Sequence, residues 1–184
     1  MALTVRRCAL EDVDASAAAL EDGRAALHAR GIPQWQAGYP DRSTVEADVR
    51  AGTGYVAVDE QGRVLGTLAF LLEAEPDYEA RPGIWLTPAT APGENVAYAC
   101  VHRCAVAAAA ARMGVMTAMF DAMEKYALEA GRASMRVDTH ELNVPMRTFL
   151  ERRGYRACGE IVITSNGTGG GEPDPRRIGY EKLL

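Results

Sequence analysis

Short segments in which apolar and polar positions alternate are separated by stretches in which apolar positions recur every three or four residues, a pattern that predicts strands and helices intermixed along the chain. Leu3 to Cys8 sets Leu3, Val5 and Arg7 against Thr4, Arg6 and Cys8, as a short strand would. Val13, Ala17, Leu20 and Leu27 then recur at helical spacing, and His28, Arg30 and Gly31 place cations in the last turn and a glycine just beyond it. One long or broken helix is expected there. Ser43-Thr44-Val45-Glu46 has the form of a capping box ahead of a short helix reaching Ala51. Gly54 to Asp59 and Arg63 to Leu72 read as strands joined by Glu60-Gln61-Gly62 in a hairpin. Glu73 to Asn95, with four prolines, reads as an irregular connection holding a short strand or turn at Ile84-Trp85-Leu86.

The chain is organised around Tyr98 to Met123. Its first part reads as a buried strand, and no proline separates that strand from the alanine-rich, helix-period sequence that follows. Five consecutive alanines, Ala107 to Ala111, favour extending the helix back towards the strand. A strand that delivers a helix aims the first-turn amides out of the sheet, where they can hold phosphate oxygens. The stretch is therefore a candidate cofactor cradle, and equally a plain strand-to-helix connection. Val115, Met116, Met119, Phe120, Met123, Ala127 and Ala130 form the apolar stripe of the helix, opposed by Asp121, Glu124, Lys125 and Glu129, and Gly131 ends it. Such a methionine-rich stripe belongs in a core. Ala133 to Thr139 is a further strand, Asn143 opens a short helix through Pro145 to Arg153, and Tyr155 to Thr164 and Arg177 to Leu183 read as two more strands. Residues 165–175 between them are too rich in glycine and polar groups to bury themselves and are expected to be mobile.

With 184 residues the chain fits one domain, 1–184, able to bury a core without disulfides or metals. A net charge of −5 and basic runs no longer than Arg6-Arg7, Arg152-Arg153 and Arg176-Arg177 argue against a nucleic-acid partner. An acidic balance suits amine substrates, and suits a solvated surface as well. The four cysteines form no C-x-x-C and pair with no histidine at metal-ligand spacing, so no metal and a reducing, cytoplasmic compartment are expected. The N-terminus has no apolar core of a signal peptide and no run reaches the length of a membrane span. Ile32 to Pro40 holds Trp35 and Tyr39 between two prolines, aromatics that either cover a core or wall a substrate pocket. Trp85 poses the same choice.

Taken in order, these elements resemble the GNAT N-acetyltransferase superfamily over nearly the whole chain. Cys104-Ala105-Val106, with Gly114 eight positions after the valine, has the spacing of that family's acetyl-CoA motif. Arg136-Val137-Asp138-Thr139-His140, Asn143, Met146, Gly154-Tyr155 and Cys158-Gly159-Glu160-Ile161 look like its second half, and Gln34-Trp35 with Tyr39-Pro40 like its first loop. The resemblance implies an α/β (α+β) fold: a mixed, twisted central sheet of about seven strands, split into a V, with helices on both faces. Acetyl-CoA would occupy the cleft, and a primary amine of a small molecule or peptide would enter from the opposite side. Cys104, Ala105 and Val106, the run Ala111, Arg112, Met113, Gly114, Val115, Met116 and Thr117, and Asn143 are the implied cofactor contacts. Trp35, Tyr39 and Trp85 are the implied substrate contacts.

Two departures from the family pattern stand out. The pyrophosphate loop usually reads Arg or Gln, two residues, Gly, one residue, then Gly or Ala; here those places hold Ala111, Gly114 and Met116, with Arg112 one place late. Where many members place a thiolate-protonating tyrosine this chain has Leu150, which leaves Tyr155, Cys158 or water as proton donor. Asp138 and His140 are expected in supporting roles, and Asn143 as both cap and cofactor contact. An N-acetyltransferase is one reading. The other is a non-catalytic member serving as a binding or dimerisation module, and a homodimer is open in either case.

Overall fold

Seven strands form one mixed sheet in the order β1-β2-β3-β4-β5-β7-β6. The computed structural model describes residues 2–88, 94–164 and 172–184. The strands are β1 (Thr4–Arg7), β2 (Gly54–Val58), β3 (Val64–Leu71), β4 (Tyr98–Val106), β5 (Ser134–Thr139), β6 (Arg156–Val162) and β7 (Arg176–Leu183). The helices are α1 (Val13–His28), α2 (Arg42–Ala51), the one-turn α3 (Pro76–Glu79), α4 (Val115–Glu129) and α5 (Val144–Arg152). Among the described residues only β4 and β5 pair in parallel; the other neighbours are antiparallel. No helix among the described residues is long and apolar enough to cross a membrane.

Period-two alternation along the strands builds a core on each face. Tyr55 and Ala57 of β2 pack with Met119, Phe120 and Met123 of α4, while Val56 and Val58 pack with Val13, Leu20 and Leu27 of α1 and Val45 of α2. Of the α4 stripe, Val115, Met119, Phe120, Met123 and Ala127 are buried, each large apolar side chain contributing about 1.5–3 kcal/mol, while Met116 is half-buried and Ala130 exposed.

Three local expectations change. The cap of α2 is Asp41: its carboxylate accepts the Thr44 amide at 2.9 Å and Thr44 Oγ1 accepts the Asp41 amide at 3.3 Å. Asp41 displaces Ser43 because α2 starts one residue before Ser43, leaving Glu46 to pair with Arg42 and Arg50. Ile84-Trp85-Leu86 is a bend, and the helix in that region is α3, whose cap Glu75 precedes a proline at the first helical position. The alanine run does not extend α4. Ala108–Ala110 is a 3-10 turn, Arg112 (φ +65°) and Gly114 (φ +81°) sit in the left-handed region, and α4 begins only at Val115. Packing overrides propensity here: Ala110 is buried, Ala107 N–H donates to Leu65 O at 2.9 Å and Ala108 N–H to Asp22 Oδ2 at 2.7 Å. Of the stretch expected to be mobile, 165–171 lies outside the described residues.

Candidate active site

The sheet opens where β4 and β5 part. Their pairing covers only Tyr98–Val101 against Ser134–Val137, after which Asp138 and Thr139 pair with β7 alone. On its other side β4 carries a bulge: Thr67 faces Ala105 but Ala69 faces His102, so β4 has one residue more than β3. Arg103 takes a φ of +53° there and its guanidinium is held by Asp48 at 2.6 and 3.0 Å and by Tyr39 Oη at 2.9 Å. Strain of this kind, on the order of 1–3 kcal/mol, persists only where its surroundings fix it. The result is a cleft of about 810 Å³. Its floor is β4 from Val101 to Val106, and its walls come from α1, α2 and the loop between them on one side and from β5 and α5 on the other.

At one end the start of α4 is bare. Gly114 caps nothing with a side chain, and among the described residues the amides of Gly114, Val115, Met116 and Thr117 have no hydrogen-bond partner. Gly66 lets this helix start approach the sheet: a Cβ there would lie 2.8 Å from Val115 Cγ1 and 3.0 Å from Ala105 O. Ala111, Arg112, Met113, Gly114 and Thr117 are exposed and Val115 is buried, and none of the six lines the cleft. Met116 is half-buried, packs on the α4 core and also borders the cleft. Cys104, Ala105, Val106 and Asn143 line the cleft itself. Asn143 Oδ1 accepts the Met146 amide at 3.4 Å and its Nδ2 donates to Thr139 Oγ1 at 3.0 Å, so cap and cleft wall are one residue. Bare helix amides next to an unpaired strand edge fit a pyrophosphate and an amide-bearing arm.

Beside the split, three ionisable side chains converge. His102 Nε2 of β4 lies 3.2 Å from Glu75 Oε2, the two side chains 14% and 13% exposed. Tyr78 Oη donates to Asp138 Oδ1 at 3.4 Å, and the Tyr78 and His102 rings lie 5.7 Å apart. Burial pushes the Asp138 carboxyl above the ordinary aspartate value; His102 and Arg177 pull it back only in part, and Glu75 adds to the rise. Burial likewise raises the Cys104 thiol to about 12, so that thiol is a neutral wall and not a nucleophile. Sequence reasoning missed Glu75 and His102. Signals existed: Tyr98, Cys100 and His102 alternate onto one strand face, and Glu75 ahead of Pro76 has the form of a helix cap.

Trp35 and Tyr39 both line the cleft. Trp85 does not. Its ring packs 5.0 Å from that of Tyr78 and over Arg136 in a separate core, and its Nε1 donates to Tyr78 O at 2.9 Å, so it anchors the loop before β4. Both side chains considered as proton donors are also placed elsewhere. Tyr155 is 2% exposed beneath α4 with its hydroxyl on Glu124 at 3.1 Å, and burial beside that carboxylate pushes its pKa far up. Cys158 sits on edge strand β6, with its Sγ near Arg156 O and its thiol raised by burial. Neither borders the cleft, because the turn after α5 carries Tyr155 down into the core and β6 lies two strands away from β5. The structure also separates the two residues expected to support the site. Asp138 faces the cleft, while His140 lies behind its wall, Nδ1 accepting the Leu142 amide at 3.1 Å and Nε2 3.4 Å from Asp174.

Comparison with known proteins places this geometry. Residues 20–155 match the model of the acetyltransferase (GNAT) family. No curated protein matches the sequence significantly. Among solved structures, a GNAT-family acetyltransferase from Streptococcus agalactiae superposes with a TM-score of 0.73 at 23% identity, covering 99% of this chain and 95% of that one. A GCN5-related N-acetyltransferase from Kribbella flavida gives 0.61 at 22% identity over 100% and 98%. A Chaetomium thermophilum protein solved in complex with a bisubstrate analogue gives 0.65 at 19% identity over 98% and 86%.

Proposed function

The chain belongs to the acetyltransferase (GNAT) family, and from that premise we propose that it moves an acetyl group from acetyl-CoA to a primary amine. The observation that carries this reading is the opening of the β4–β5 split directly beside the unbonded amides at the start of α4. Gly114 to Thr117 would hold the pyrophosphate, Cys104 to Val106 and Asn143 the pantetheine arm. When bound, acetyl-CoA supplies an acyl thioester with a good leaving group. The chain has three tasks beside it. The carboxylates of Glu75 and Asp138, with His102, attract the acceptor as an ammonium and take one of its protons, Asp138 being suited to hold it by its raised pKa. The free amine is then a nucleophile towards a carbonyl carbon. Main-chain N–H groups of the Cys104–Val106 stretch are the donors available to the carbonyl oxygen as charge develops on it. The nitrogen gives up a second proton as the C–N bond forms and the C–S bond breaks; of the two protons it loses, the cluster or water passes one to the released thiolate and the other leaves to solvent, so the proton balance closes without Tyr155 or Cys158.

Isothermal titration with acetyl-CoA, followed by acetylation assays on primary amines, tests the reading. Binding together with turnover supports it. No binding at millimolar acetyl-CoA sinks it and favours the binding-module alternative, for which the altered Ala111 and Met116 positions are the motive.

A further inference from the structure

Three segments distant in sequence meet over the acceptor end of the cleft. The Trp35 amide, in a residue with φ +67°, donates to Glu172 Oε1 at 3.2 Å. Glu172, its side chain 4% exposed, also pairs with Arg177, which is 3% exposed and lines the cleft. Gln34 Oε1, in a residue 7% exposed, accepts the His140 amide at 3.1 Å and the Thr139 hydroxyl at 3.4 Å. On the opposite side Arg24 donates to Pro40 O, and the Trp35 ring lies so close to α1 that a Cβ on Gly23 would come within 3.3 Å of it. The loop between α1 and α2 is therefore bound across the split to the end of β5 and to the segment entering β7. A left-handed tryptophan is strained, and the Glu172 carboxylate on its amide is what fixes it.

This arrangement bears on what can enter. A polypeptide acceptor needs a groove in which its backbone continues past the reacting amine, and the two segments that would flank such a groove are bonded to each other through buried groups. The volume of about 810 Å³ falls in the range of small-ligand sites, roughly 300–1,000 Å³, and must hold the reactive end of the acyl donor as well as the acceptor. Inside it, carboxylates gather at Glu75, Asp77 and Asp138, and Trp35 and Tyr39 on one wall and Phe149 on the other supply aromatic surface. We propose that the acceptor is a small free amine enclosed in the cleft, its ammonium at the Glu75–His102–Asp138 cluster and its carbon body against Trp35 and Tyr39, and that lysines and N-termini of polypeptides are excluded. This rests on the acetyl-transfer reading and narrows it.

The test compares the same amines free and in a chain: lysine amide, simple diamines and amino-acid amides against dodecapeptides carrying a central lysine or a free N-terminus. The free amines are expected to exceed the peptides in kcat/KM by at least about tenfold, a ratio that steric exclusion readily supplies. Glu172→Ala, or Gln34→Ala should the first variant unfold by stranding Arg177, is expected to raise peptide turnover relative to the free amines by severing the bridge. Peptides acetylated as well as or better than free amines overturn the inference and leave acetyl transfer standing. Protein that binds acetyl-CoA yet acetylates no small amine also overturns it. Absence of acetyl-CoA binding removes the acetyl-transfer reading itself.

Discussion

Two buried ionic clusters lie near the parting of β4 and β5, and they answer burial in opposite ways. In the first, the Arg136 guanidinium is 1% exposed between the rings of Trp85 and Tyr98, at 4.4 and 3.7 Å, with its Nε 3.1 Å from Glu181 Oε1. Glu181 is fully buried and accepts from Ser134 Oγ and Thr87 Oγ1, each at 2.5 Å, and from the Thr87 amide at 3.2 Å. Burial pushes its carboxyl up, but the Ser134 and Thr87 hydrogen bonds and the Arg136 charge more than offset this, and its pKa ends below the ordinary value. In the second cluster burial again pushes the carboxyl up, and Asp138 receives one hydroxyl at 3.4 Å, so its pKa ends high. Donors and neighbouring charge together decide the difference, since Glu181 has two hydroxyls and Arg136 whereas Asp138 has one hydroxyl and Glu75 beside it. A carboxylate saturated with donors is fixed as an anion and serves structure; one held short of donors is poised to exchange a proton.

Breaking the first cluster should give the largest effect. Glu181→Ala leaves the buried Arg136 with only its longer contact to Glu79, 3.7 Å away, and is expected to cost about 3–5 kcal/mol, read from urea denaturation. Acetyl-CoA affinity of the folded protein should hold, since Glu181 does not line the cleft. A loss under 1 kcal/mol would show that the cluster is not the anchor described.

The same substitution logic applied to the second cluster should trade stability against rate. Asp138→Asn removes a carboxyl that the fold penalises, so the melting temperature at neutral pH should stay level or rise, while kcat/KM for an amine falls about a hundredfold with loss of the proton acceptor. The two clusters should also part with pH. Glu181, with a depressed pKa, contributes stability above its unfolded value near 4.5 that is lost as pH falls through its folded value. Asp138, with a raised pKa, does the reverse: between the ordinary 3.8 and its folded value, rising pH ionises it at the expense of stability and switches activity on. The charges facing it are His102, Arg177 and Glu75. An acid limb of kcat/KM lying above the ordinary aspartate range, and absent in Asp138→Asn, is the expected profile.

This contrast also marks what the sequence could reveal. Strand alternation and the α4 stripe were legible because each is a local period, and Asn143, read as the cap of a short helix, caps α5 and lies on the cleft wall. The ionic clusters were not legible, since Glu75, His102 and Asp138 lie on three elements and converge only because β4 leaves β5 after Val101. Alanine propensity misled at Ala107 to Ala111, where buried Ala110 and the amide bonds to Leu65 and Asp22 govern. Trp85 could have faced either way. Only the position of Arg136, which it covers, settles it.

A smaller effect is expected at Asn143, which belongs to the cleft yet serves structure as well. Asn143→Ala removes the cap on Met146 and the bond to Thr139, costing about 1 kcal/mol. If the amide also holds the cofactor arm, acetyl-CoA affinity measured on fully folded protein falls too. Equal affinity in the two proteins would leave only the cap.

The smallest change should come from Tyr155→Phe, and it tests whether this tyrosine belongs with the structural residues. The hydroxyl donates to Glu124, but Glu124 also accepts from Arg153 at 2.9 Å and from Lys182 at 2.6 Å, so losing the phenol does not strand a buried carboxylate. The ring remains against Phe120, edge-on with centroids 6.0 Å apart. One neutral donor lost from a satisfied acceptor costs about 0.5–1.5 kcal/mol. A phenol buried beside a carboxylate, with its pKa pushed far up, and lying outside the cleft is in no position to protonate a leaving sulfur, so kcat should be unchanged across the pH range. A tenfold fall in kcat at unaltered stability would return Tyr155 to the chemistry and move the proton path away from the Glu75–His102–Asp138 cluster.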